Sequence, residues 1–342
     1  MNVKTYFPLL LCASLMVACG KGFQPKFHSN QPLKKSPETP PTEPQNPNPG
    51  KEDNIPEDSN DLGSISETLK VCYFSPNDNH ENCLSVVEAD DDQKQNEYNY
   101  KDPQQSINFP THFDINQYLI PKYYLDLKAT PKNTKLTTNF QVEELMQLHK
   151  GDLALFSPDA LFYIQKMRED LNRAVHIHSA FRGPAYNQSI GGATWSRHMY
   201  GDAIDFHVNE VSIKELAEYC TEHGAAFYQI YKTHIHCDWR NTPLNEGFYE
   251  GPVKNQKFIN LKELAQSQSS IQIQDRKNKW QLSVQTEFVE DEDSDLIYEW
   301  EVTYKNKTKI YSSPTIQLNK HKSEHYHIKV TVGGSIELEI KL

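Results

Sequence analysis

Residues 175–208 read VHIHSAFRGPAYNQSIGGATWSRHMYGDAIDFHV, and after a helical interval residues 228–240 read YQIYKTHIHCDWR. Successive side chains of a strand point to opposite faces. His234, His236 and Asp238 therefore share one face of the second stretch, while Ile235, Cys237 and Trp239 turn to the core. The first stretch adds His198 and Asp205, with Gly201 between them to let the backbone turn. His198, Asp205 and His236 make a candidate metal set of two imidazoles and a carboxylate. Zn²⁺ accepts such donors, and three protein ligands leave a fourth position open to water.

The flanking sequence predicts a compact α+β domain over residues 111–245. Asn139 is expected to cap a short helix through Leu148, with Val142, Leu145 and Met146 on one face. Ser157-Pro158-Asp159 starts another, Ser as cap and Pro in the first turn, followed by Leu161, Ile164, Met167 and Leu171 at helical spacing. Val175 to Ser179 alternates as a strand. Ser212-Ile213-Lys214-Glu215 reads as a capping box for a helix whose Ile213, Leu216 and Cys220 face inward and which Gly224 ends. Short strands follow near residues 226–231 and 234–239. His176, His178 and His207 alternate on strands beside the site and read as packing or hydrogen-bonding residues.

Four blocks in order carry a family resemblance: Ser179-Ala180-Phe181-Arg182-Gly183-Pro184-Ala185-Tyr186-Asn187, Ile190-Gly191-Gly192-Ala193, the Ser196, His198, Gly201, Ala203, Asp205 series, and His236 with Asp238. Together they resemble the zinc D-Ala-D-Ala carboxypeptidases and endopeptidases of the LAS type, over roughly residues 135–240. This group shares its zinc-site fold with the Hedgehog signalling domain. The resemblance implies Zn²⁺ as cofactor, held by His198, Asp205 and His236. It implies that Arg182 binds a substrate carboxylate or carbonyl oxygen and that Ser196 hydrogen-bonds substrate near the metal. Many relatives place a general-base Glu or Asp three residues before the last ligand. That position here is Thr233, which cannot serve. Other relatives carry a His two before it, so His234 is the expected base, with Asp238 either orienting an imidazole or acting as the base itself. The implied reaction is hydrolysis of an amide in the peptide stem or cross-link of peptidoglycan. A different class of function is a non-catalytic, zinc-containing wall-binding or receptor-like module. Arg182, Ser196 and His234 beside the ligands favour the enzyme, because a structural zinc needs none of them.

At the N-terminus, Lys4, the apolar run 6–17 and the ending Leu15-Met16-Val17-Ala18-Cys19 resemble a lipoprotein signal peptide (1–18), too short to span a bilayer. This implies lipid on Cys19, export and membrane anchoring, and Gly20 resembles the outer-membrane-sorted class. Residues 19–63 are polar and proline-rich, a tether of extended chain. Residues 64–110 are poorly defined in pattern. Of the remaining cysteines, Cys72 and Cys83 are the expected local disulfide; Cys220 and Cys237 are left either bridged or as buried thiols.

Residues 246–269 read as a linker. From 270 to 342 the period changes to two, in runs about Trp280, Trp300, Ile328 and Leu338, predicting an antiparallel β-sandwich that resembles immunoglobulin-like or PKD-like modules. Its partner is not legible. The Glu290 to Asp295 run reads as an acidic hairpin tip. A net charge of -11 gives no basic footprint for nucleic acid.

Overall fold

The computed structural model describes residues 69–342 apart from 147, 250, 252, 254–255, 290–294 and 322–324. The signal segment, Cys19, the tether and nearly all of the acidic run at 290–295 lie outside the described residues. Among the described residues no helix is long and apolar enough to cross a membrane.

Strands β1 (Lys70–Phe74) and β2 (Glu81–Ser85) form an antiparallel hairpin in which Cys72 and Cys83 are cross-strand partners joined by a disulfide. β3 (Val87–Glu88) is followed by the short helix α1 (Asp91–Asn96) and then β4 (Tyr123–Asp126). Helix α2 (Val142–Leu145) precedes β5 (Leu153–Ala154), which completes the small sheet β3-β4-β5.

α2 corrects one expectation: Gln141, not Asn139, occupies its cap position, and the helix stops at Leu145. The reason lies on α3 (Pro158–Leu171), where Gln165 is fully buried and its amide needs partners. Asn139 Oδ1 accepts from Gln165 Nε2 at 2.9 Å, and Thr137 Oγ1 donates to Gln165 Oε1 at 2.9 Å. α3 itself begins as its sequence predicts, with Ser157 Oγ accepting from the Ala160 N–H. Its Leu161, Ile164 and Met167 enter the core, each contributing roughly 1.5–3 kcal/mol by burial.

The site sheet comes next: β6 (Val175–Ser179), helix α4 (Pro184–Ser189), β7 (Ala203–Val208), helix α5 (Ile213–Glu222), β8 (Phe227–Ile230) and β9 (Ile235–Asp238). Its order is β6-β7-β9-β8, antiparallel throughout. Ser212 Oγ takes the Glu215 N–H at the start of α5, and Leu216, Ala217 and Cys220 are buried. Alternation along β9 turns His236 one way and Cys237 the other, where Cys237 is bridged to Cys220.

The stretch read as a linker contains helix α6 (Leu261–Ser267), whose Leu261 and Ala265 are buried in a second core. That core is shared by two antiparallel sheets. One is β10 (Ser270–Arg276), β11 (Lys279–Gln285) and β14 (Thr315–Asn319); the other has the order β13-β12-β15-β16, from β12 (Tyr298–Tyr304), β13 (Lys307–Tyr311), β15 (His327–Val332) and β16 (Ile336–Lys341).

Phe227 and Tyr231 belong to the same second core as Phe288, Leu296 and Trp300. Gln229 Nε2 donates to the Phe288 carbonyl, Ile230 N–H to the Gly333 carbonyl at 2.9 Å, and Ile297 N–H to the Ile230 carbonyl at 3.1 Å. β8 is the edge strand of the site sheet, and its outer edge is bonded at Ile230 by Gly333 and Ile297 of the C-terminal part. The two parts of the chain are thus joined through a common core.

Candidate metal centre

Three elements bring the ligands together. His198 sits on a 3₁₀ turn, Arg197–Tyr200, capped by Ser196, whose Oγ accepts from the His198 N–H at 3.4 Å. Gly201 closes the turn at φ 68°, and a Cβ there would meet the Leu155 carbonyl oxygen at 2.3 Å, so only glycine fits. Arg197 anchors the turn from beneath: it is buried between the rings of Tyr118 and Tyr200, at 4.7 and 4.6 Å, and donates through Nε to Asp202 Oδ1 at 3.0 Å and through Nη1 to the Gln117 carbonyl at 2.7 Å. Asp205 on β7 and His236 on β9 are direct cross-strand partners.

The three ligand atoms converge. His198 Nε2 lies 3.1 Å from Asp205 Oδ1 and 3.1 Å from His236 Nδ1, and His236 Nδ1 lies 2.8 Å from Asp205 Oδ1. A tetrahedral ion with bonds of about 2.0–2.1 Å sets its ligands roughly 3.3 Å apart. The spacing, the chemistry of the donors and their near-complete burial fit a zinc-type ion.

The surroundings fix the tautomers that such a site requires. His198 Nδ1 is 2.6 Å from the Ala180 carbonyl oxygen, which only a protonated Nδ1 can satisfy, so Nε2 presents its lone pair inward. On His236, Nε2 faces Asp238 Oδ2 at 3.8 Å, and that negative charge favours a proton on Nε2 and a lone pair on Nδ1. Burial works to raise the Asp205 pKa, but the Arg182 guanidinium beside it favours the ionised form, and the carboxyl is held well below the usual range. Asp238 is also fully buried. Arg240 grips both its oxygens, Nε to Oδ1 at 2.9 Å and Nη2 to Oδ2 at 2.7 Å, and keeps it ionised and below the ordinary carboxylate range against the effect of burial.

The remaining expected site residues are placed as follows. Arg182 is buried behind Asp205, with Nη2 2.5 Å from Asp205 Oδ2 and Nε donating to Ser179 Oγ at 2.8 Å. Ser196 is buried as the cap described above. His234 is half-buried and stacked between two rings, Tyr231 at 4.7 Å and His178 at 5.1 Å, with Nδ1 3.0 Å from Thr233 Oγ1. Cys72 and Cys83 lie in the β1–β2 hairpin, outside the site sheet. Tyr200 is buried beneath the metal turn, whereas Trp195 lines a groove of about 890 Å³ with Phe109, Phe113 and Phe288.

Sequence reading missed Arg240, the Ala180 carbonyl and Lys150. Arg240 was signalled: it follows Asp238 by two, on the same face by alternation. The half-buried Lys150 had no such signal; its Nζ stands 5.7 Å from the Tyr186 ring, and burial, then the charge of Arg182, pull its pKa down.

A family model described as Peptidase M15 matches residues 138–238, which include all three candidate ligands. This segment is an M15-like peptidase domain. The chain therefore carries an M15-like peptidase domain, and in it His198, Asp205 and His236, a group that could hold a metal ion, lie together and buried. Among solved structures, the ZmpB metallopeptidase from Clostridium perfringens aligns at 18% identity over 22% of this chain, with a TM-score of 0.17. The aligned part spans 15% of that protein, and a likeness so slight carries no argument. No curated protein matches the chain.

Proposed function

We propose that the M15-like domain is a zinc-dependent hydrolase of peptide bonds in peptidoglycan stems or cross-links, of the D-Ala-D-Ala carboxypeptidase or DD-endopeptidase type. The observation that carries this reading is the convergence of His198 Nε2, Asp205 Oδ1 and His236 Nδ1 to within 3.1 Å, each with its lone pair turned inward. Zn²⁺, when bound, polarises the scissile carbonyl as a Lewis acid and makes water a nucleophile near neutral pH.

The residues around it divide the remaining work. His234, its Nδ1 3.0 Å from Thr233 Oγ1, would take the proton from the attacking water at Nε2 and return it to the leaving amine nitrogen as the C–N bond breaks. Tyr231 and His178 clamp the ring in place. Asp238, both of whose oxygens are gripped by Arg240, faces His236 Nε2 and is assigned to orienting that ring. Arg182 aligns Asp205 from behind. The lipid-anchor resemblance at Cys19 and the proline-rich tether would hold this domain at a membrane face within reach of the wall, most simply the periplasmic face of an outer membrane.

One observation favours the non-catalytic alternative. Arg182 and Ser196, both expected at the substrate, are buried and committed to Asp205 and to the His198 backbone. The test is incubation of the zinc-loaded full chain with purified peptidoglycan, followed by mass spectrometry. Released D-Ala or cleaved cross-links support hydrolysis, and His234→Gln should lower the rate about 10²–10⁴-fold while keeping its zinc. Absence of product with stoichiometric zinc moves the reading to a binding module.

A further inference from the structure

Beside the metal centre, on the same face of the site sheet, stands a row of four imidazoles outside the ligand set. His176 on β6 and His207 on β7 are direct cross-strand partners, their rings stacked at 4.9 Å. The register of β6 shifts between Ile177 and Ser179, and His178, at that shift, meets His207 diagonally: His178 Nε2 is 2.7 Å from His207 Nδ1. His234 stacks on His178 at 5.1 Å.

We propose that His178 Nε2 and His207 Nδ1 form a second, exchangeable site for a divalent transition metal that prefers imidazole, such as Zn²⁺, Ni²⁺ or Cu²⁺. Two ring nitrogens this close can share a single proton, one donating and one accepting. An ion bound to both at about 2.0–2.1 Å needs them roughly 3 Å apart and sits off the line between them, so as the proton leaves both rings turn their lone pairs toward it.

Both side chains reach solvent, which allows this movement and leaves the remaining coordination positions to water. His207 is held in the β6–β7 ladder and His178 between its paired neighbours Ile177 and Ser179, so the two rings are already side by side before an ion arrives. Neither flanking ring is needed as a ligand: His176 Nε2 is occupied by Asn209 Nδ2 at 3.1 Å, and His234 Nδ1 by Thr233. With two protein ligands, both neutral, the site is weaker than the buried triad, where three ligands include a carboxylate. The inference needs only the geometry of the pair and is independent of any hydrolytic activity.

The experiment is titration of the chelator-treated full chain with Ni²⁺ and, separately, with Zn²⁺, by isothermal calorimetry. Wild type should take up about two equivalents, one tight and one weak. His178→Gln with His207→Gln should keep the tight equivalent and lose the weak one, and retention of the tight equivalent with an unchanged near-ultraviolet dichroism spectrum reports that the variant is folded. His198→Ala should show the reverse loss. A wild type that binds only one equivalent at saturation overturns the proposal, as does a weak equivalent that survives in the double variant. Cu²⁺ added after the triad is filled should give an electron paramagnetic resonance spectrum with nitrogen coupling in wild type and not in the double variant.

Discussion

Arg182 Nη2 stands 2.5 Å from Asp205 Oδ2, so the carboxylate that turns one oxygen to two histidines has its other oxygen held by a buried guanidinium. The contact leaves Oδ1 turned toward His198 and His236 and favours the ionised carboxyl. Replacing Arg182 by Met should therefore weaken metal binding about 10–100-fold, as losses of partners behind metal ligands do. Competition against a chromophoric chelator measures this, and an unchanged affinity would mean that Asp205 needs no such support.

Asp238 makes a prediction about acid. Its pKa is lower in the folded chain than in the unfolded one, so its contribution is complete above the ordinary carboxylate range, about pH 4, and is lost as pH falls toward its folded value. Asp238→Asn leaves Arg240 buried without its counter-charge and should destabilise the metal-free protein at neutral pH by about 3–5 kcal/mol. Urea unfolding at pH 7 and pH 3 should show the gap between wild type and variant narrowing at the lower pH. A gap of equal size at both would contradict the assignment.

The bridge between Cys220 on α5 and Cys237 on β9 closes a loop with a sequence separation of 17 beside the ligand His236. Cys220→Ala with Cys237→Ala should lower stability by about 2–4 kcal/mol. Because Cys237 adjoins His236, metal affinity should fall as well, which the chelator competition reads directly.

The common core predicts that the C-terminal strands are not dispensable. A chain ending at residue 260 would expose Phe227 and Tyr231, now 3% and 1% exposed, and uncover the outer edge of β8. It should aggregate or melt without cooperativity in circular dichroism. A cooperative melt with metal bound as in the full chain would show the peptidase part to be self-sufficient.

Alternation in HIHCD places His234, His236 and Asp238 on one face, and it is the family resemblance that singles out His236 with His198 and Asp205, the three residues that the fold brings together. What surrounds the ligands was harder to read, because the partners come from distant positions. Nothing local shows that Asn139 is drawn from its cap by Gln165, or that Arg182 turns back on Asp205.

Strand β10 was missed because its SIQIQDR sequence is mostly exposed, so little apolar alternation marks it, and β13 hides likewise in KTKIY. The covered edge of β8 was illegible for another reason: Phe288 and Leu296 flank an acidic run that reads as pure surface. The pairing of Cys220 with Cys237, by contrast, follows from two local faces once both are known to point into one core.

The claim on which the rest depends is that His198, Asp205 and His236 hold the ion. Crystals of the full chain grown with Zn²⁺ and measured on both sides of the zinc absorption edge test it most directly. The account predicts an anomalous peak about 2.0–2.2 Å from His198 Nε2, Asp205 Oδ1 and His236 Nδ1. Zinc bound elsewhere with no peak between these three atoms would contradict it.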